Sequence, residues 1–498
     1  MTHFKHFLLL LLMGLLAVGC PPTGDDDDSS AGDDDDATGD DDDATGDDDD
    51  SANPAIPDTY AFDSRFEQGE DSVSYSGQTF RHVLISDMKG HIGDMTDRLN
   101  GTDGPAWFPV AGDVIAELDF YVEFDGSTSG TIAHGIETTP GALQSTYGDL
   151  HDGTSLQAKI AGNDADGQYA DWSTDFAGWG ATGSTTPEDL LRSWIQELDD
   201  AAVAWSTGTI AQDPAGNPVG DVFVTADGRD LRQLIQKFLD ASIGFSQGAD
   251  DYLDDDFAGK GLLSDNTEAA GTGKAYSDLE HAWDEGFGYF GPARDYGDWT
   301  DDQIADDDWM DTFDPDGAID LKSEWTKGHS VNAAKRDRGA NVATDFTQQA
   351  WDAFLTGRAI ITAADGDLGA EDMTKLQEQR DLALDAWEKG IAATVVHYIN
   401  DVLQDMGDYP SEDFGELAKH WSEMKGFALA FQFNRRSPML TDFETFHGLL
   451  GDAPVLSNAV EADIDQYEAN LRTARGMLQT AYGFDAANMG DDNGENGW

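Results

Sequence analysis

From Thr186 onward the chain repeats apolar residues at helical spacing, and nowhere does it alternate with period two for long enough to build a sheet. Thr186 is placed to cap a helix with Pro187 in its first turn, and Leu190, Leu191, Trp194, Ile195, Leu198 and Ala202 make its apolar stripe. Asp230–Leu253 carries a second stripe through Leu231, Leu234, Ile235, Phe238, Leu239 and Ile243. Further helices are expected over Tyr276–Gly291 with Ser277 as cap, and over Thr344–Ala363, Glu371–Met406, Ser411–Phe433, Thr441–Leu450 and Asn458–Tyr482. Thr441 and Glu444 have capping-box spacing.

Upstream, Arg81–Leu99 and Gly112–Phe124 read as helices, whereas Gly126–Gly183 is rich in Gly, Ser, Thr and Asp and reads as loop, with a short helix near Leu156–Ala161. Pro292–Asp316 reads as an acidic loop, and Val222–Thr225 is the one strand-like scrap. The pattern predicts an all-α fold of about ten helices packed as bundles, in one lobe or in two halves near 59–260 and 261–485, followed by a disordered tail at 486–498.

The first twenty residues read as a lipoprotein signal: Lys5 and His6, the apolar run Phe7–Val18, then Gly19 and Cys20. The run is short for a membrane span. Cys20 is the only cysteine, so a lipid there leaves the mature chain with no disulfide and no thiolate metal site. Residues 21–58 follow as an Asp-rich tether whose four Asp blocks repel one another and bury nothing. Without the signal's one lysine and the tether's sixteen acids the remainder still stands near −56, against −71 for the whole chain. Such a charge argues against nucleic acid or an anionic lipid surface as partner. It suits a salty exterior or a protein that collects cations.

Three stretches could carry chemistry. In the helix opened by Ser277, His281, Asp284 and Glu285 fall at i, i+3 and i+4 and share a face. His420 and Glu423 repeat the spacing in a later helix, and both stretches continue into Gly-Phe (Gly286-Phe287 and Gly426-Phe427). Two such helices would supply nitrogen and oxygen ligands for a divalent metal; buried pairs that merely order the core are the alternative. His397, on an apolar helix, is a third candidate. Asp314–Glu324 is similar to an EF-hand or dockerin calcium loop, with Gly317 at the sixth position, Asp314 and Asp316 at the third and fifth, and Asp320 at the ninth. Thr312 and Ser323 stand where that loop has its first and twelfth ligands, with Glu324 one step outside. Finally, Lys335, Arg336 and Arg338 form a basic island that would either bind an anion or join an internal salt-bridge network.

The stretches Val224–Lys237, Glu280–Gly291, Gly328–Asp337 and His420–Phe427 resemble a bacterial lipoprotein family, the domain of unknown function 4856, from about Tyr60 to Gly483. More distantly, the His-x-x-acid pairs resemble those of imelysin-type helical proteins of iron uptake. That second likeness implies a double helical bundle and a role in metal uptake.

These readings converge on a non-enzymatic, lipid-anchored outer-membrane protein, facing the periplasm or the cell surface, that binds iron or another divalent metal. His281, Asp284, Glu285, His420 and Glu423 would be its ligands, and an outer-membrane uptake receptor its partner. One alternative is a calcium-stabilised binding or adhesion module built on Asp314, Asp316, Asp320 and Glu324. The other is a metal-dependent hydrolase, which needs an open coordination position beside a general base.

Overall fold

The computed structural model describes residues 54–498 except 103, 152, 154, 165–166 and 307–316. In chain order its helices are α1 (Ser76–Gly93), α2 (Met95–Asn100), α3 (Asp113–Val122) and the single turns α4 (Gly126–Ser129) and α5 (Tyr147–Leu150). There follow α6 (Pro187–Ser206), α7 (Leu231–Leu239), α8 (Asp278–Phe290), α9 (Asp301–Ala305), α10 (His329–Gly339) and α11 (Phe346–Ala364). The chain closes with α12 (Ala370–Gly407), α13 (Phe414–Ala428), α14 (Phe443–Leu450) and α15 (Glu461–Tyr482). Among the described residues only isolated bridges occur, one of them Val224 with Asp230, so the fold is all-α.

Local chemistry explains the ends. Thr186 accepts from the backbone N–H of Asp189 and Pro187 occupies the first turn of α6. Ser277 and Glu280 form a capping box at the start of α8, and Gly291 closes that helix in the left-handed region. The expected box at Thr441 does not form: α14 begins one residue later, with Asp442 at the cap and no side-chain bond to it. The Asp230 helix also departs from expectation, because after Leu239 its hydrogen bonds slip to wider π turns over Asp240–Phe245 and Gln247–Tyr252.

The long α12 is the spine, with α11 and α13 along it and α10 and α15 also against it. Helices from either side of residue 260 pack on one another, α1 on α8 and α7 on α13. The core is aromatic, with Trp194, Trp283, Trp387 and Trp421 fully buried. Two of them find a place for the ring against glycine: a Cβ on Gly357 would lie 2.0 Å from the Trp283 ring, and one on Gly248 would lie 2.6 Å from that of Trp387. No helix is long and apolar enough to cross a membrane among the described residues.

Candidate functional site: a lysine-lined pocket

The histidine–acid face of α8 is held by an arginine. Arg358 of α11, fully buried, donates from Nε to Asp284 Oδ1 at 3.0 Å and from Nη1 to Glu280 Oε1 at 3.1 Å. Tyr60 Oη and the Ser74 backbone N–H donate to the two Asp284 oxygens at 2.9 and 3.1 Å. Burial pushes Asp284 up to about 6 against the pull of Arg358. His281 Nδ1 donates to the Ser74 carbonyl at 2.9 Å, and its Nε2 lies 3.8 Å from Glu285. Glu285 in turn accepts from Gln78.

The second histidine meets other partners. His420 Nδ1 lies 2.8 Å from Asp405 of α12, and its Nε2 lies 3.4 Å from Glu416 and 4.0 Å from Asp401. His397 Nε2 is 3.3 Å from the same Asp401 oxygen. Although burial works against it, the Asp405 contact holds the His420 imidazole above its ordinary range, whereas burial pushes His397 down to about 3. Glu423 faces away from this group towards Lys237, 3.5 Å from its Nζ.

The five proposed ligands are therefore not gathered. His281 and Glu285 stay together on α8, Asp284 turns to Arg358, His420 turns to α12, and Glu423 turns to a lysine. Among the described residues no group of three or more His, Cys, Asp and Glu side chains could hold a metal ion as it stands. In the calcium-like stretch, Asp314 and Asp316 lie outside the described residues, as does Cys20. Asp320 accepts from Gln144 and from the Lys322 backbone, and Glu324 accepts from the Asp320 backbone N–H.

What the fold does gather is cations. A cavity of about 250 Å³ opens where α1, α7 and α10 meet, and Lys89, Lys237, Lys327 and Lys335 all line it. Three helical faces build it. His82, Ile85, Ser86 and Lys89 follow one another at i, i+3, i+4 and i+7 on α1; Gln236, Lys237 and Asp240 close α7; Gly328, Val331, Asn332 and Lys335 open α10. Gly328 has φ +62 and sits against His82, where an added Cβ would lie 2.7 Å from the imidazole Cε1, so the chain can enter α10 there only as glycine.

Burial sets the charge state of the walls. Lys327 is 5 % exposed, donates to the Trp325 carbonyl at 2.9 Å and rests over the Trp325 ring. Burial pushes its ammonium down to about 7, with the Asp320 charge opposing. Lys89 is pushed down to about 8, by burial first and then by Lys237. His82 donates from Nε2 to the Tyr289 carbonyl at 3.2 Å; burial and the Lys327 charge push it down to about 3, so it is neutral. Asp240 is the one acid in the lining, and burial pushes it up to about 6. The first-turn N–H groups of α10 add the positive end of a helix dipole.

A family model described as "Domain of unknown function (DUF4856)" matches residues 169–447, more than half of the chain. The chain belongs to this DUF4856 family. The match contains all four stretches singled out in the sequence, and three of them meet at the pocket: Val224–Lys237 ends on Lys237, Gly328–Asp337 opens α10, and Glu280–Gly291 supplies the Tyr289 carbonyl that holds His82. The fourth, His420–Phe427, supplies Glu423 and Phe427, which hold Lys237. Searches of curated proteins and of solved structures find no match to this DUF4856 chain.

Sequence reasoning reached only Lys335 of the four lysines. Arg338, from the same island, pairs with Asp306 at 2.5 Å, while Arg336 lies near Tyr398 and Asp401. The missing signal was present as Val331 and Lys335, one helical turn apart behind Gly328, with Lys327 immediately before that glycine.

Proposed function

We propose that this protein is a non-enzymatic binding protein that captures a small, multiply charged anion, bearing carboxylate or phosphate groups, in the lysine-lined pocket. One observation carries the reading: four of only 28 Lys and Arg residues, in a chain of net charge −71, line a single cavity. Elsewhere an internal cation such as Arg358 is matched by carboxylates at hydrogen-bond distance. Here burial lowers the proton affinity of Lys327 and Lys89, with the Lys237 charge adding to the effect on Lys89, an arrangement that an incoming anion relieves. The cavity is the size of a few atoms of ligand, not of a polymer.

The cargo thus differs in sign from the iron or divalent metal expected from the histidine–acid spacing. The envelope setting remains the reading of the sequence: Cys20 as lipid anchor, the Asp tether as spacer, and the outer membrane as location.

The test is calorimetric titration of the full chain with citrate and with inorganic phosphate, Trp325 fluorescence serving as a second readout. Saturable binding of at least one is expected, with affinity falling at least tenfold in the pair of substitutions Lys89→Gln and Lys327→Gln. Equal binding by the wild-type and substituted chains, or none by the wild type, overturns the reading.

A further inference from the structure

A second cavity, of about 390 Å³, lies on the opposite chemistry. Asp381, Leu384, Asp385 and Glu388 line it at i, i+3, i+4 and i+7 along α12, and Asn434, Arg436, Pro438 and Tyr482 complete it. Its buried carboxylate is Glu388, 1 % exposed. Tyr482 Oη and Ser437 Oγ donate to Oε1 at 2.7 and 2.5 Å, and Asn434 Nδ2 donates to Oε2 at 2.5 Å. All three donors are neutral. Among the described residues no Lys, Arg or His makes an ion pair with Glu388, and Arg436 is already shared by Asp254 at 2.7 Å and Asp255 at 2.6 Å.

A buried carboxylate that is hydrogen-bonded but not neutralised costs stability unless it gains a proton or a cation. Burial indeed pushes Glu388 up to about 7. At the mouth, Asp381 and Asp385 remain half exposed and are paired only with Arg380 and Arg436, and with Lys389, so the field at the opening is not reversed. Leu384, Pro438 and the Tyr482 ring supply apolar wall. Two carboxylate oxygens offer about four acceptor positions and three are taken, which leaves room for one N–H donor.

We propose that this pocket binds a small organic cation, a primary ammonium that directs one N–H to Glu388 while its alkyl chain lies against Leu384, Pro438 and Tyr482. The site is independent of the lysine pocket, which takes ligands of the other sign.

The probe is butylammonium, titrated calorimetrically into the full chain at pH 8 and constant ionic strength, with potassium as the control cation. Saturable binding is expected for butylammonium and not for potassium. Glu388→Gln should weaken it at least tenfold, and Lys327→Gln should leave it unchanged. The surface substitution Asp385→Lys, which leaves the buried donors in place, should weaken it several-fold and keeps the test decisive if Glu388→Gln folds poorly. Wild-type chain that shows no saturation, or full affinity in both Glu388→Gln and Asp385→Lys, overturns the proposal.

Discussion

The two stretches that echo each other in sequence, around His281 on α8 and around His420 on α13, end in opposite kinds of place. Each has a Gly-Phe pair that lets a neighbour come close. A Cβ on Gly286 would lie 2.8 Å from the Leu253 side chain, and one on Gly426 would lie 2.6 Å from Lys237 Cβ. On α8 the neighbour is apolar, and Glu280 and Asp284 face Arg358 in a fully buried cluster of matched charges. On α13 the neighbour is a lysine, held under Glu423 and over the Phe427 ring and lining an open cavity. The same local motif thus makes a structural clasp in one case and one wall of a site in the other. The partner helix decides, and a spacing rule within one helix cannot see it.

Breaking the clasp should have the largest effect. Arg358→Met strands Asp284 without a counter-charge, leaves Glu280 with Arg65 alone, and should cost about 3–5 kcal/mol in denaturant unfolding; a loss below about 1 kcal/mol would show that α8 does not depend on it. Next comes Gly426→Ala, which forces α13 off α7 by adding a methyl group against Lys237. A cost of about 1–3 kcal/mol is expected, with weaker anion binding because Lys237 moves. Unchanged stability and binding would show that the close approach is dispensable.

The smallest effect is a slope. The folded-state values of Lys327 and Lys89, about 7 and 8, lie below the usual lysine range near 10.4. Across that window each lysine binds more protons in the unfolded chain and so contributes a rise in stability with pH above about 7, of at most about 1.4 kcal/mol per unit, opposed up to about pH 8 by Glu388 and Asp250, whose carboxyls burial pushes up to about 7 and 8. Lys327→Met should flatten this rise between pH 7 and 9 while leaving the Arg358 clasp untouched. An identical slope in the wild-type and Lys327→Met chains would contradict the burial of this ammonium group.

Much of the fold was legible. Thr186-Pro187 and the Ser277 cap each pair a terminus signal with an apolar period, and their helices, like the one expected over Glu371–Met406, appear within a residue or two of where they were expected. What escaped was α10. Its residues His329–Gly339 are mostly polar and bury only small or polar groups, Ala333 and Ala334 among them, so no apolar stripe announces it. Without α10 as a helix, Lys335 has no face, and nothing in the sequence turns it towards Lys327 on the far side of Gly328. The site was hidden for a second reason: Lys89, Lys237 and Lys327 come from three separated segments, and only packing brings them to one cavity. The histidine–acid pairs show the reverse: their spacing within each helix is as read, and their partners come from other helices.

The glycine that admits His82 beside the start of α10 has one more consequence. The pocket is closed by segments some 240 positions apart along the chain, so no fragment contains it. Occupancy would therefore act as a seal on the finished architecture: whatever fills the cavity binds the native chain alone, and raises its resistance to melting in proportion to the logarithm of ligand concentration.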